Sequence, residues 1–416
     1  MTIDLFRPFV DFDASMQAVA SVLAADKDGR VYIGQGQKVE DFEAALRIVL
    51  GAPRDVLTLN SCTSALDLAL HLCDVLPRAF NEVEYGQWQI VISTPMTCTA
   101  TNSPIVTRGG TIMWADVDPL TGLIDPWSVK DRIEIAISQF NAVPKAVMAV
   151  DWGGHLCDYR QLRRVVEPYG IPIIQDAAHS LGATVDGQAF FAADRNQGDY
   201  VCFSFQAIKA LTTGDGGALV CPSDEETELA RLLRWYGLDR RSKADFRCSQ
   251  MITHVGYKYH MNDIAAAIGL ANLPSLPKIL EAQRRNAAFY GATLHGIPGV
   301  LIPPSVADPE YLDNDSAFWL FTLLVSDRDD FTAFMTERGI MVSPVHARND
   351  VHRGFRMAAT GTQWPLPGVD FFAAHEVAIP VGWWLDLEQV QDVALAVQDW
   401  GIRRGKPLDP PKTSRP

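Results

Sequence analysis

CFSFQAIKALTTGDGGAL, residues 202–219, joins an apolar stretch to a single lysine and then to a cluster of glycines. Tyr200-Val201-Cys202-Phe203-Ser204-Phe205 is short, apolar and rich in β-branched and aromatic residues, the pattern of a buried strand. Ala218-Leu219-Val220-Cys221 reads as the next strand, and Thr212 to Gly217 between them is turn-forming. Lys209 therefore lies just past one buried strand and short of another, a poor place to meet bulk water. Partial burial would lower its pKa and make it a candidate amine nucleophile. The position fits equally a lysine whose stem follows apolar surface and whose head reaches solvent.

Upstream of this stretch the chain alternates strand and helix. Apolar runs recur at Ile90 to Ser93, Thr111 to Ala115, Lys145 to Val150 and Ile171 to Gln175, with helix-compatible segments between many of them. Such alternation gives a mostly parallel sheet with helices on both faces, and ligands collect beyond the carboxyl ends of its strands. Thr97, Cys98, Asp151, Asp176, His179, Ser204 and Lys209 all stand at such ends. Asp176 follows the run from Ile171 directly. A buried carboxylate there needs a cation or strong donors; the same residue also fits a cap on the turn that begins at Ala177.

Val56-Leu57-Thr58-Leu59 reads as an earlier strand, followed by the turn Asn60-Ser61-Cys62-Thr63-Ser64 and a helix from Ala65 to about Leu76. A helix N-terminus after a small-residue turn is an anion site, to which Ser61, Thr63 and Ser64 would add hydroxyls. An ordinary N-cap accounts for the same residues. Before it, helices are expected from Ala14 to Ala25 and from about Lys38; Gly34-Gln35-Gly36 is too short a glycine pattern to mark a nucleotide site.

After residue 230 the pattern changes. Arg240 to Arg247 reads as a charged loop, and Ile264 to Leu270 as a small-residue helix suited to close packing, continued by a long helix to about Phe289. Phe318 to Val325 reads as a strand, Asp329 to Arg338 as a helix, Ile340 to Val345 as a strand and Leu387 to Trp400 as a helix. Residues 403–416, rich in proline, read as a flexible tail. No internal repeat is visible.

With 416 residues, the chain has room for two domains. Its net charge of −14 argues against nonspecific nucleic-acid binding. The seven cysteines follow no zinc-ligand spacing, which points to reduced thiols, a cytoplasmic protein and no structural metal. The beginning of the sequence lacks the pattern of a secretion signal, and no run reaches 18 apolar residues.

Four segments together resemble the DegT/StrS family of sugar aminotransferases: LNSCTSAL (59–66), IIQDAAHSLGA (173–183), SFQAIKALTTGDGGAL (204–219) and GYKYHMNDIAAAIGLANL (256–273). FWLFTLLV (318–325), RGIMVSPVHARND (338–350) and AIPVGWWL (378–385) are similar to the family's small-domain elements. The resemblance implies an α/β, fold-type-I architecture: a large domain with a mostly parallel seven-stranded sheet over residues 1–270, a linking helix and smaller α/β domain over 271–403, and a tail over 404–416. It implies pyridoxal 5′-phosphate as cofactor, with Lys209 as the Schiff-base lysine and proton shuttle and Asp176 as partner of the pyridinium nitrogen. Thr63, Ser64 and Ser204 would hold the phosphate, and His179 would lie near the ring. Cys98 stands where the family often has an aromatic residue stacked on that ring. Lys258 stands where many members have an asparagine that reaches the phosphate from the neighbouring subunit, which implies a homodimer with shared sites. Because Lys209 is retained where dehydratase members carry histidine, the implied reaction is transamination, from glutamate to a nucleotide-linked keto sugar. Arg234, Arg240 and Arg241 are candidate cations for the sugar nucleotide's diphosphate. A dehydratase or lyase acting on a keto sugar, and a nonenzymic sugar-nucleotide binder or regulator, are the competing readings.

Overall fold

Seven strands make the central sheet, in the spatial order Leu57–Leu59, Gly217–Val220, Tyr200–Ser204, Ile173–Asp176, Ala146–Val150, Ile90–Ser93 and Thr111–Trp114. All neighbours pair in parallel except Gly217–Val220, which runs antiparallel to both of its partners. The computed structural model describes residues 2–31, 33–75, 88–185, 187–192, 196–242, 249–304, 314–360 and 364–411. The inner strands are buried along their whole length because helices cover both faces and leave no solvent side. The mostly parallel α/β sheet expected from the sequence is thus present.

Element boundaries move where a cap or a proline decides them. The first helix is Phe12–Leu23, two residues earlier than expected, because the Asp11 carboxylate accepts the Ala14 N–H. The helix expected from Ala65 begins at Cys62, with Ser61 as its cap, and runs to Leu72; its expected end at Leu76 lies outside the described residues. The long helix expected to run on through Phe289 is broken at Leu273–Ser275, where Pro274 interrupts it, into Asp263–Asn272 and Leu276–Leu294. The small residues of Asp263–Asn272 serve packing within the chain. A Cβ at Gly269 would lie 2.6 Å from the ring of Phe42, which itself packs on Phe205.

A second apolar cluster gathers Tyr290, Phe321, Phe331, Val377 and Trp400, whereas the first part of the same helix, Leu276 and Leu280, belongs to the large core. The smaller sheet here is antiparallel, in the order Val300–Leu301, Phe321–Val325, Glu376–Ile379. The strand expected over Ile340–Val345 is not formed. Pro344 lacks an N–H, Val345 takes a positive φ of 46°, and only isolated bridges from Ile340 to Ile3 and from Ser343 to Ala378 remain. The sheet's third member is instead Glu376–Ile379. The last helix extends to Arg404, where it pairs with Asp330 at 2.7 Å, so the expected tail begins as helix; residues 412–416 lie outside the described residues, as do 243–247 of the charged loop. No helix among the described residues is long and apolar enough to cross a membrane.

Candidate active site

The carboxyl ends of the central strands open on a cleft of about 440 Å³. Thr63, Cys98, Asp176, His179, Ser204 and Lys209, six residues singled out in the sequence, line it together. Two surface hollows, of about 620 and 640 Å³, lie elsewhere and are lined mainly by carboxylates, arginines and aliphatic side chains. Neither gathers a nucleophile, so chemistry and not volume marks the functional site.

Lys209 lines the cleft half-buried, and desolvation pushes its amine down to about 8 from an ordinary 10.5, against the attraction of Asp176, Cys62 and Cys98. Its Nζ rests 3.5 Å from the centroid of the Trp319 ring. Asp176 is the last residue of its strand, not the one beyond it. Its Oδ2 accepts from the Thr101 hydroxyl at 2.7 Å and its Oδ1 from the Ala178 N–H at 3.1 Å. Burial pushes this carboxyl above the usual range, while those two donors and Lys209 pull it back. No arginine or lysine forms an ion pair with it among the described residues. Its sequence reading as a turn cap is therefore partly right, since Ala178 is one residue into the turn, but the second oxygen is directed to Thr101.

The wall at the start of Cys62–Leu72 is built as a cap. Ser61 Oγ accepts the Ser64 N–H at 3.1 Å, and the Ser64 hydroxyl donates to Asn60 Oδ1 at 2.6 Å. Ser64 consequently turns away from the cleft, and Ser61 lines it in its place. Cys62 and Thr63 open the helix, so their N–H groups have no intrahelical acceptor. A Cβ on Gly217 would lie 2.4 to 2.5 Å from the backbone of Ser61 and Cys62, so only glycine lets this helix end seat against the sheet.

His179 is buried and neutral, pushed well down by desolvation and by Lys209. Its Nδ1 accepts the Gly153 N–H at 3.3 Å, and its ring stacks on Trp319 at 4.0 Å. Trp319, Thr101, His346 and Phe6 also line the cleft and were not singled out in the sequence. Asp151, at the end of the neighbouring strand, does not reach the cleft. Its oxygens take bonds from Ser180 Oγ, Gln175 Nε2, Tyr159 OH and the Cys157 N–H, and burial raises it to about 6.

Lys258 also lies outside its own chain's cleft. Its Nζ is 2.9 Å from His260 Nε2 and 4.5 Å from the Trp235 ring centroid. Its carbonyl accepts from Asn60 Nδ2 at 3.1 Å, beside the cleft's helix turn. Arg234 is not available to a ligand as expected: it is buried, bonded to Glu43 and to the Thr58 carbonyl. Arg240 lies over Trp235 and donates to the Gln35 carbonyl, and Arg241 pairs with Glu228 and Asp239.

Residues 13–398 match the profile of the DegT/DnrJ/EryC1/StrS aminotransferase family. The chain belongs to this family. It is 29% identical over 355 residues to the dTDP-4-dehydro-2,3,6-trideoxy-D-glucose 4-aminotransferase of Saccharopolyspora spinosa, covering 83% of this chain and 85% of that one. It is likewise 29% identical to the GDP-perosamine synthase of Caulobacter vibrioides, over 74% of this chain and 76% of the relative. The crystal structure of a sugar aminotransferase from Micromonospora echinospora, 34% identical, superposes with a TM-score of 0.82 over 95% of this chain and 99% of its own. The family's cofactor is pyridoxal phosphate, and this member of it is a pyridoxal-phosphate-dependent aminotransferase. The cleft fits that cofactor. It offers a helix N-terminus with hydroxyls for a phosphate, a buried carboxylate with no ion-pair partner among the described residues for a protonated ring nitrogen, and a lysine whose amine is about half unprotonated near pH 8.

Proposed function

We propose that the enzyme transfers an amino group from L-glutamate to the keto group of a nucleotide-linked sugar. The observation that carries the reading is the convergence of Lys209 and Asp176 on one buried cleft in a chain whose relatives are named for nucleotide-sugar substrates. Bound pyridoxal phosphate supplies an electron sink for the pair left behind when a proton leaves the substrate carbon. Lys209 takes that proton and returns it at the end of the transfer. A value near 8 suits both directions, since the amine is neither locked as ammonium nor too weak to accept. Asp176, steadied by Thr101 and Ala178, would keep the cofactor's ring nitrogen protonated. Ser61, Thr63, Ser204 and the first N–H groups of Cys62–Leu72 would hold its phosphate, and His179, fixed by Gly153 and Trp319, would serve the ring.

The active unit in this proposal is a homodimer in which Lys258 serves the partner's phosphate as a point charge. Support comes from its distance from its own chain's cleft and from Asn60, which ties its backbone to the phosphate turn. A division into two units joined by the helix after residue 271 is supported by the two separate apolar clusters, that helix giving Leu276 and Leu280 to the first and Tyr290 and Leu294 to the second. A cytoplasmic location is supported by the absence of disulfides among the described cysteines.

The test is to supply L-glutamate and a panel of nucleotide keto sugars and to assay both products. The reading requires one equivalent of 2-oxoglutarate for each amino sugar formed. A dehydratase or lyase would consume the sugar without 2-oxoglutarate, and that result would refute the proposal.

A further inference from the structure

The N-terminal segment reaches the active cleft with one side chain, Phe6, and the structure shows how it is held there. Ile3 donates its N–H to the Gly339 carbonyl and accepts from the Met341 N–H, at 2.8 and 3.0 Å. The indole N–H of Trp384 donates to the Asp4 carbonyl at 3.1 Å, and that of Trp383 to the Arg7 carbonyl at 3.3 Å. Phe9 packs edge-on against Trp383 at 5.1 Å. The backbone is therefore fixed on both sides of Phe6, and its half-buried ring is left to stack on Trp319 at 5.2 Å and 24°.

Trp319 is fixed in turn with respect to the reactive amine. Its Nε1 donates to the carbonyl of Ile208 at 3.0 Å, one residue before Lys209, and Lys209 Nζ lies 3.5 Å from its ring centroid. The preceding residue, Phe318, has a positive φ of 46°, a conformation that a bulky residue adopts only when its surroundings hold it there. Phe6 thus forms a preorganised aromatic wall beside the amine, backed by Trp319, whose own ring is covered by Phe6, by His179 at 4.0 Å and by Lys209 Nζ.

Such a wall has a definite chemical complement. One face of a pyranose ring presents C–H groups, weakly positive and poorly hydrated, which match the negative face of an aromatic ring. A phosphate or an amino acid's carboxylate gains nothing comparable from it; a nucleobase would also stack on such a ring, and binding of the bare nucleotide separates the two. Building on the nucleotide-sugar reading above, we propose that Phe6, together with Trp319, is a specificity-determining element that receives the apolar face of the acceptor's sugar ring and places its keto carbon beside Lys209.

The test compares binding of whole nucleotide sugars with binding of the bare nucleotides. Cofactor-loaded wild type, Phe6→Ala and Phe6→Tyr would be titrated calorimetrically with UDP-glucose and dTDP-glucose, and separately with UDP and dTDP. The wall predicts that Phe6→Ala weakens the preferred nucleotide sugar about tenfold, the order expected for uncovering one ring face. Binding of the bare nucleotide should be unchanged, and Phe6→Tyr, which keeps a ring, should bind like wild type. Equal losses for sugar and nucleotide, or no loss at all, would overturn the role of Phe6 and leave the aminotransferase reading in place. Loss of the cofactor's absorbance in Phe6→Ala would overturn it too, because the wall would then belong to the cofactor. If wild type binds neither nucleotide sugar, the substrate reading falls and the wall with it.

Discussion

Replacing Lys209 by Met tests how strongly the cleft strains its central amine. A fall in pKa from 10.5 to about 8 corresponds, at 1.36 kcal/mol per factor of ten, to about 3 kcal/mol of stability lost while both folded and unfolded amines are protonated. Below pH 8 the cofactor-free wild type carries the whole of this cost. Between pH 8 and 10.5 the unfolded chain binds more protons than the folded one, so this contribution to stability rises with pH; above 10.5 the cost has gone. Buried thiols and tyrosines titrate in the same range with the opposite sign, but they are common to both proteins and cancel in the difference. Urea unfolding of the two cofactor-free proteins at pH 7, 8.5 and 10 is the assay. Lys209→Met should be the more stable at pH 7, and most of an advantage of about 3 kcal/mol should disappear by pH 10. A difference that stays constant over that range would show that Lys209 titrates normally, and the reasoning from burial would be wrong.

Asp176→Asn should still bind cofactor but slow the glutamate half-reaction by a hundredfold or more, because a buried charge-assisted pair is worth about 3 kcal/mol or above; stopped-flow absorbance within threefold of wild type would count against its role. Asp151→Asn, by contrast, should lower stability by about 1 to 3 kcal/mol through the loss of an acceptor for its buried donors while leaving the half-reaction rate of the folded enzyme within a few-fold, as read from urea unfolding and stopped flow. Subunit exchange between inactive Lys209→Ala and an impaired Lys258→Ala should restore activity above either parent. Proven exchange without recovery would remove Lys258 from the partner's site.

The two central residues were legible because strand ends are. A β-rich apolar run ending in Asp176, and another followed by Lys209, place both at one sheet edge whatever the details of the loops. Side-chain direction within a turn was not. Ser61, Thr63 and Ser64 carry the same chemistry, and only the cap geometry decides that Ser64 faces inward to Asn60 while Ser61 faces the cleft. The small sheet was half read. Glu376–Ile379 was hidden because a buried glutamate begins it, and Ile340–Val345 looked like a strand because Pro344 is one residue among five apolar or small ones. The close packing expected of Ile264 to Leu270 is present, but small residues announce a close approach without naming the partner, which at Gly269 is Phe42 of the same chain. Phe6 and Trp319 meet across more than 300 residues, and FWLFTLLV read as an unbroken strand gave no sign that its tryptophan sits in the turn before it.

Lys209 should be the one amine that joins the cofactor. Cofactor-loaded protein would be reduced with borohydride, digested and mapped by mass spectrometry. A single modified peptide, carrying the reduced cofactor on Lys209, is the predicted result. Modification at Lys258 or at scattered surface lysines, or none at full cofactor occupancy, would contradict it.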